Sequence, residues 1–283
     1  MSDHPAAGVP IVTLTTDFGT RDPYVAEMKA AILAVTRAVR LVDVTHEVAA
    51  HDVTEGALAV EAAASTFPAG TIHVAVVDPG VGTDRRGLVV SAGGHLFVGP
   101  DNGLFTPSFA GPEWRAWELT ATEYRRATVS RTFHGRDVFA PAAAYLSLGV
   151  PPESFGPAVA DPVRLAWPEP RAVGGSVGGV VIHVDRFGNL VTSIHAEAVE
   201  EAGPRATVRI AGREVPLVGT YGDLPPGGIG AVVSSRERLE VVLREGSAAL
   251  ALRARRGTPI LLTRRMSLRA ASSRKRPTRK TRT

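Results

Sequence analysis

The sequence predicts an α/β N-terminal domain with a largely parallel central sheet, followed by a smaller, mostly-β C-terminal domain, a barrel or sandwich. Three observations predict it. Over residues 8–160, short β-branched runs alternate with stretches of helical periodicity, as in strand–helix–strand units. Residues 161–176 are rich in Pro and Gly and read as a linker. Over 177–263, short apolar runs follow one another with turns between them and one helical stretch. Residues 264–283 form a basic tail without apolar periodicity, which reads as disordered.

The elements follow in order. PIVTLTT (10–16) is a β-rich run ending at DFGTRDP. YVAEMKAAILAVTRAV then sets Val25, Met28, Ile32 and Val35 on one helical face. LVDV (41–44) is a second strand. Asp52 caps the next helix, with Glu55 three residues on as in a capping box. TIHVAVV (71–77) is a third, buried strand that runs into Asp78. GLVVSA and HLFVGP flank Gly93-Gly94 as a hairpin, and 137–149 is a helix with Pro141 near its first turn. Beyond the linker, GVVIHVD, NLVTSI, ATVRIAG, REVPLVG, IGAVVSS, RLEVVLR and TPILLTR read as strands, and HAEAVEEAG as a helix.

Composition narrows the function classes. The 283 residues are 44% hydrophobic, enough for a packed core, with no 18-residue apolar run to span a membrane. The N-terminus has no basic-then-apolar leader pattern, and cysteine is absent, which excludes disulfides and thiolate metal sites and fits a cytoplasmic protein. The net charge of +4 belongs to the tail: Arg264 to Thr283 holds nine Arg/Lys and no acid, leaving 23 basic residues against 28 acidic ones. Such a tail can bind nucleic acid or acidic surfaces, but a solvated segment without a specific partner is the simpler reading. Three of 32 basic residues are Lys, which looks like coding bias.

Ligands of open α/β sheets bind beyond the carboxyl ends of the strands, and the acidic loops of Asp17 with Asp22 and of Asp78 fall there. VVDPGVGTDRR holds Asp78 and Arg85 seven residues apart across a Pro/Gly turn. It reads as a salt bridge or a catalytic pair; no P-loop lysine supports a phosphate cradle. His134 precedes a helix, a position that favours neutral imidazole, in either a structural or a catalytic role. The histidines show no metal-ligand spacing. Asp185, Phe187 and Asn189 share a tight turn, and Ser235-Arg236 is a carboxylate site or an ordinary polar turn.

Six motifs, in order, carry a resemblance: TTDFGTRDPYVAEMK, DVTHEV, VVDPGVGTDRR, VGPDNGLFT, TFHGRDVFAP and DRFGNLVTSIH. Over about Val12 to Thr263 the chain resembles the S-adenosyl-L-methionine (SAM) hydroxide adenosyltransferases, or SAM hydrolases, relatives of the fluorinating and chlorinating SAM enzymes. The resemblance implies that SAM and water become adenosine and L-methionine, with SAM as substrate and no cofactor or metal. It implies a homotrimer, with each site between the N-terminal domain of one subunit and the C-terminal domain of its neighbour. It carries the catalytic set onto Asp78, Arg85 and His134 and ribose binding onto Asp17. Methionine binding falls on Asp22, Asp185, Ser235 and Arg236, and adenine binding on Phe187, Asn189, Tyr221 and backbone near Glu245.

The halogenating relatives carry Tyr in place of Asp78, lack the histidine at 134, and in the fluorinating case have an insertion that RRGLVVSAGGHLFVG lacks. Tyr24, Ala166, Glu237 and Arg238 depart from the related patterns and leave the fine contacts open. A halogenase, or a SAM- or adenosine-binding protein with negligible turnover, are the alternative readings.

Overall fold

The computed structural model describes residues 8–264; residues 1–7 and 265–283, nearly the whole basic tail, lie outside the described residues. The chain divides after Trp167, within the Pro/Gly-rich segment, into two compact units.

The first unit runs β1 (Ile11–Thr16), α1 (Tyr24–Val35), β2 (Arg40–Thr45), α2 (Val53–Thr66), β3 (Ile72–Val76), β4 (Gly87–Ala92), β5 (His95–Pro100), β6 (Trp114–Glu118) and α3 (Ala140–Ser147). Its sheet has the order β2-β1-β3-β5-β4-β6. The first four strands in that order are mutually parallel, and β4 pairs antiparallel with both β5 and β6. β3 therefore lies inside the sheet, which explains its uninterrupted apolar run: all five of its residues are buried. On one face Met28 and Ile32 of α1 and the small residues of α3 pack on Val12, Leu14, Val74 and Val76. On the other, Ala57 and Val60 of α2 pack on Ala75, Val77 and Phe97.

Local signals hold with two refinements. Asp52 Oδ1 accepts from the Glu55 N–H at 3.0 Å, but Glu55 Oε2 accepts from the N–H of Ala49 at 3.2 Å, so the Glu55 side chain ties down the preceding loop. The helix expected over 137–149 starts earlier, as a π-helical turn over Gly135–Phe139 that leads into α3.

The second unit comprises β7 (Arg171–Val173), β8 (Ser176–Val184), β9 (Leu190–His195), α4 (Ala196–Ala202), β10 (Thr207–Ile210), β11 (Arg213–Pro216), β12 (Ile229–Val233), β13 (Arg238–Leu243), α5 (Ala248–Leu252) and β14 (Pro259–Thr263). Its strands run β11-β10-β14-β8-β9-β13-β12, with β7 also on β8, and every pair is antiparallel. A parallel bridge between Leu217 and Ala231, with the Val218 N–H donating to the Ala231 carbonyl at 2.9 Å, brings the two edge strands together. The sheet is thus a nearly closed barrel, which leaves little open edge. Gly179 lets β8 turn from β14 to β9, since a Cβ there would stand 2.7 Å from Ile194 Cγ1. Val181, Leu190, Val208, Leu239 and Val241 fill the interior. Among the described residues no helix is long and apolar enough to cross a membrane.

Candidate active site

In the first unit the loop after β3 turns twice, with Val81 N–H donating to the Asp78 carbonyl and Thr83 N–H to that of Gly80. Gly82 has φ +78°, and a Cβ there would meet the Arg131 carbonyl oxygen at 2.4 Å, so the loop lies directly on the segment that leads to His134. This close approach explains the glycine. It also brings Arg85 to His134, 49 residues on.

Arg85 Nε donates to Asp78 Oδ1 at 3.0 Å and Oδ2 at 3.1 Å, and Nη2 also bonds Oδ2. The same Nη2 donates to His134 Nδ1 at 2.8 Å. Guanidinium nitrogens only donate, so His134 Nδ1 must be the acceptor and the neutral ring carries its proton on Nε2. Burial, then the Arg85 charge, hold the imidazole below its ordinary range and so neutral. The three side chains form one contact group, with Asp78 5% and Arg85 12% exposed. Phe139 covers the guanidinium at 5.3 Å. The neighbouring Arg86 faces away, to Asp101 and Asp161.

Asp78 and His134 line a cleft of about 570 Å³ that Asp17 also lines. Asp17 Oδ2 accepts from the His51 N–H at 2.9 Å, and His51 itself holds the left-handed φ of 66°. The DVTHEV motif acts here: His46 Nδ1 pairs with Thr16 Oγ1 at 2.8 Å, and its carbonyl accepts from the Gly19 N–H at 2.7 Å. It thereby fixes the loop on both sides of Asp17. The cleft's apolar wall is a cluster of edge-packed rings, Phe18, Tyr24 and Phe133, with centroids 5.4 to 5.9 Å apart. Asp22 is exposed just before α1 and is not among the lining residues.

Sequence reasoning missed the buried Asp137, which anchors this wall. It takes Arg136 Nε at 2.7 Å and the Ser130 N–H at 2.8 Å, while Arg136 Nη1 reaches Glu27 at 2.6 Å. Burial alone would raise the Asp137 carboxyl; the Arg136 and Ser130 hydrogen bonds outweigh it and hold it low. An Arg-Asp pair next to a candidate histidine was the available signal.

In the second unit Asp185 closes the β8–β9 turn. Its Oδ1 accepts from the N–H groups of Phe187 at 2.9 Å and Asn189 at 2.8 Å, and its Oδ2 from Asn189 Nδ2 at 2.9 Å. Gly188 has φ +83°, and a Cβ there would meet Ser247 Oγ at 2.0 Å. The turn pushes Phe187 outward, 75% exposed, and Tyr221 is 47% exposed. Ser235 and Arg236 are exposed on the β12–β13 turn, where the Ser234 hydroxyl accepts from the Arg236 N–H at 3.3 Å. Glu245 holds a left-handed φ of 63° at the end of β13.

One further acid, Glu240 on β13, is 6% exposed. Burial raises its carboxyl, and the Asp185 charge adds to the rise. The sequence signal was an acid inside the apolar run RLEVVL. Among the described residues no group of three or more His, Asp or Glu could hold a metal ion.

The chain matches the family models for the SAM hydroxide adenosyltransferase N-terminal domain over residues 12–156 and C-terminal domain over 179–261. A Thermus thermophilus protein named (R)-S-adenosyl-L-methionine hydrolase is 40% identical over 89% of this chain and 98% of its own. A fluorinase of Actinoplanes sp. is 31% identical, over 87% of this chain and 94% of its own. A solved structure from Thermotoga maritima, described as an uncharacterized conserved protein, aligns with TM-score 0.83 at 31% identity, over 90% of this chain and all of that one.

Proposed function

The chain belongs to the SAM hydroxide adenosyltransferase family, and from that premise we propose that it hydrolyses S-adenosyl-L-methionine to adenosine and L-methionine. The observation that carries the reading is the Asp78–Arg85–His134 contact group, of which Asp78 and His134 line one cleft with Asp17.

The chemistry asks little of an acid. The sulfonium leaves C5′ of the ribose as a neutral thioether, so no group need protonate it. What is needed is a water held in line with the C5′–S bond and partly stripped of its proton. Asp78 is the acceptor for that proton, since His134 offers Nε2–H and its Nδ1 is engaged by Arg85. His134 then donates to the water oxygen, and Arg85 fixes both partners and stabilises developing hydroxide. Asp17 holds the ribose hydroxyls. Asp22 and Asp185 meet the α-ammonium, and Ser235 and Arg236 the carboxylate. Phe187, Asn189, Tyr221 and backbone near Glu245 take the adenine. No step calls for a resident metal or cofactor.

A halide would have to approach the Asp78 carboxylate, which repels it. The fluorinase relative also stands further off, at 31% identity against 40%. The assembly we infer is a homotrimer with sites at subunit interfaces. In its favour, Phe187 and Leu250 are large apolar side chains, 75% and 81% exposed, on neighbouring elements joined by the Ala249 N–H to Gly188 carbonyl bond. A cytoplasmic setting fits a chain without cysteine.

The test is incubation of pure protein with each sulfonium epimer of SAM, with and without chloride or a chelator, and chromatography of the products. Equal amounts of adenosine and methionine, unaffected by chelation, are expected. A chlorinated nucleoside would favour the halogenase, and tight adenosine binding without product a binding protein.

A further inference from the structure

Asp137 sits in the π-helical turn over Gly135–Phe139 with 1% of its surface exposed. A buried carboxylate is costly unless it is fully paired, and exchanging a buried ion pair for apolar residues often leaves stability unchanged. Stability is therefore a weak reason for its presence, and its bonds point to another. Its Oδ2 accepts from the Ser130 N–H at 2.8 Å and from Arg136 Nη2 at 3.0 Å, and its Oδ1 from Arg136 Nε at 2.7 Å. Its own N–H donates to the Phe133 carbonyl at 3.2 Å, and its carbonyl accepts from the Arg126 N–H at 2.9 Å. Ser130 and Phe133 bracket the segment that runs into His134, so Asp137 holds that segment at both ends. Gly82 lies against the Arg131 carbonyl in the middle of it. Arg136 Nη1 carries the tie on to Glu27 of α1 at 2.6 Å. In the π turn the Ala140 N–H donates to the Gly135 carbonyl, five residues back. Such turns are frequent at functional sites. This one begins immediately after the histidine whose Nδ1 meets Arg85 Nη2 at 2.8 Å.

We propose that Asp137 is a positioning residue for His134. Through Ser130 and Phe133 it sets the backbone that aims the imidazole at Arg85 and at the cleft, and it is not itself among the residues that line the cleft. The inference rests on the proposed hydrolysis, in which His134 donates to the attacking water. Asp137→Asn is close to isosteric, but Ser130 and Arg136 approach both carboxylate oxygens as donors, so the amide NH2 must face one of them. The substitution therefore disturbs the clamp without emptying its place in the core.

Steady-state kinetics on the full chain should show kcat lowered about tenfold in Asp137→Asn, with KM for SAM within about threefold of wild type. In a His134→Ala background the same substitution should cost less than about twofold, because the group being aimed is gone. Acylation by diethyl pyrocarbonate, read at His134 by peptide mass spectrometry, tests the placement without turnover. The neutral ring has its lone pair on Nδ1, where the Arg85 N–H occupies it. Asp137→Asn should release that nitrogen and raise the rate of acylation at His134 about threefold or more. Arg136→Lys, which loses the fork that grips both Asp137 oxygens, should move kcat and acylation in the same directions, and it decides the matter if the Asn variant does not fold. Losses that multiply in the double variant, a raised KM at unchanged kcat, or an unaltered acylation rate at His134 overturn the proposal. Failure of the wild type to produce adenosine would count against hydrolysis alone, because the acylation rates still read the hold of Asp137 on His134.

Discussion

Arg85 sets the roles of both its neighbours. It grips the two oxygens of Asp78 and gives an N–H to His134 Nδ1, so one planar cation fixes an acceptor and a tautomer together. Lysine could not do this, because its single ammonium lacks the fork. Arg85→Lys and Asp78→Asn should each lower kcat by about 10²- to 10⁴-fold, the range expected for misplacing a general base. Adenosine affinity should move less than threefold. Single-turnover rates and adenosine calorimetry measure the two quantities; a lowered affinity with intact turnover would sink the assignment. Asp78, Arg85 and His134 were named as candidates from motifs along the chain. Their hydrogen bonds were not legible there, because the Arg85–His134 bond depends on the docking of Gly82 on Arg131.

At the scale of elements, the strands and caps that local pattern governs were legible. β3 showed as an apolar run, α1 as a periodic face, and Asp52 as a cap. What the pattern concealed was the meaning of His73, a polar residue inside that buried strand. Its Nδ1 pairs with Thr13 Oγ1 at 2.8 Å on β1, and its Nε2 faces His95 Nδ1 at 3.3 Å on β5. Phe97 stacks on its ring at 5.2 Å. The histidines looked scattered because parallel neighbours are far apart in sequence. Burial, reinforced by His95, lowers the His73 pKa to about 4 from its ordinary 6.5. The unfolded chain therefore takes up a proton in this window that the folded chain refuses. The neutral pair's contribution is whole above pH 6.5 and is lost progressively as pH falls towards 4, on the order of 3 kcal/mol. Thermal melts from pH 7.5 to 4 should show His73→Gln, which keeps a hydrogen-bonding group without titrating, losing stability less steeply than wild type. Parallel slopes for the two proteins would remove His73 as the acid-sensitive group.

At the scale of the whole molecule, two separate cores and a basic end have different standing. The change of pattern near residue 161 marked two units, but β7 belongs with the barrel, and Asp161, Val163 and Leu165 are bonded to the first unit through Arg86, Asp101 and Thr106. Barrel closure was not legible, since a bridge between Leu217 and Ala231 leaves no local mark. The last strand, β14, is interior to the barrel, between β10 and β8, with Ile260 and Leu262 buried. Residues 265–283 bring eight Arg/Lys and no acid, so their removal leaves 24 basic side chains against 28 acidic ones. A chain ending at Arg264 should keep its barrel, turn over SAM within about twofold of full length, and bind an anion exchanger where the full chain binds a cation exchanger. If the inferred trimer holds, light scattering should give three times the chain mass for both, since the exposed Phe187 and Leu250 are retained. A chain ending at Thr258 should fail to fold, because β10 and β8 would lose the strand that joins them. Loss of activity in the longer truncation alone would move the tail into the working part of the molecule, and a monomeric mass for an active protein would remove the trimer from the mechanism.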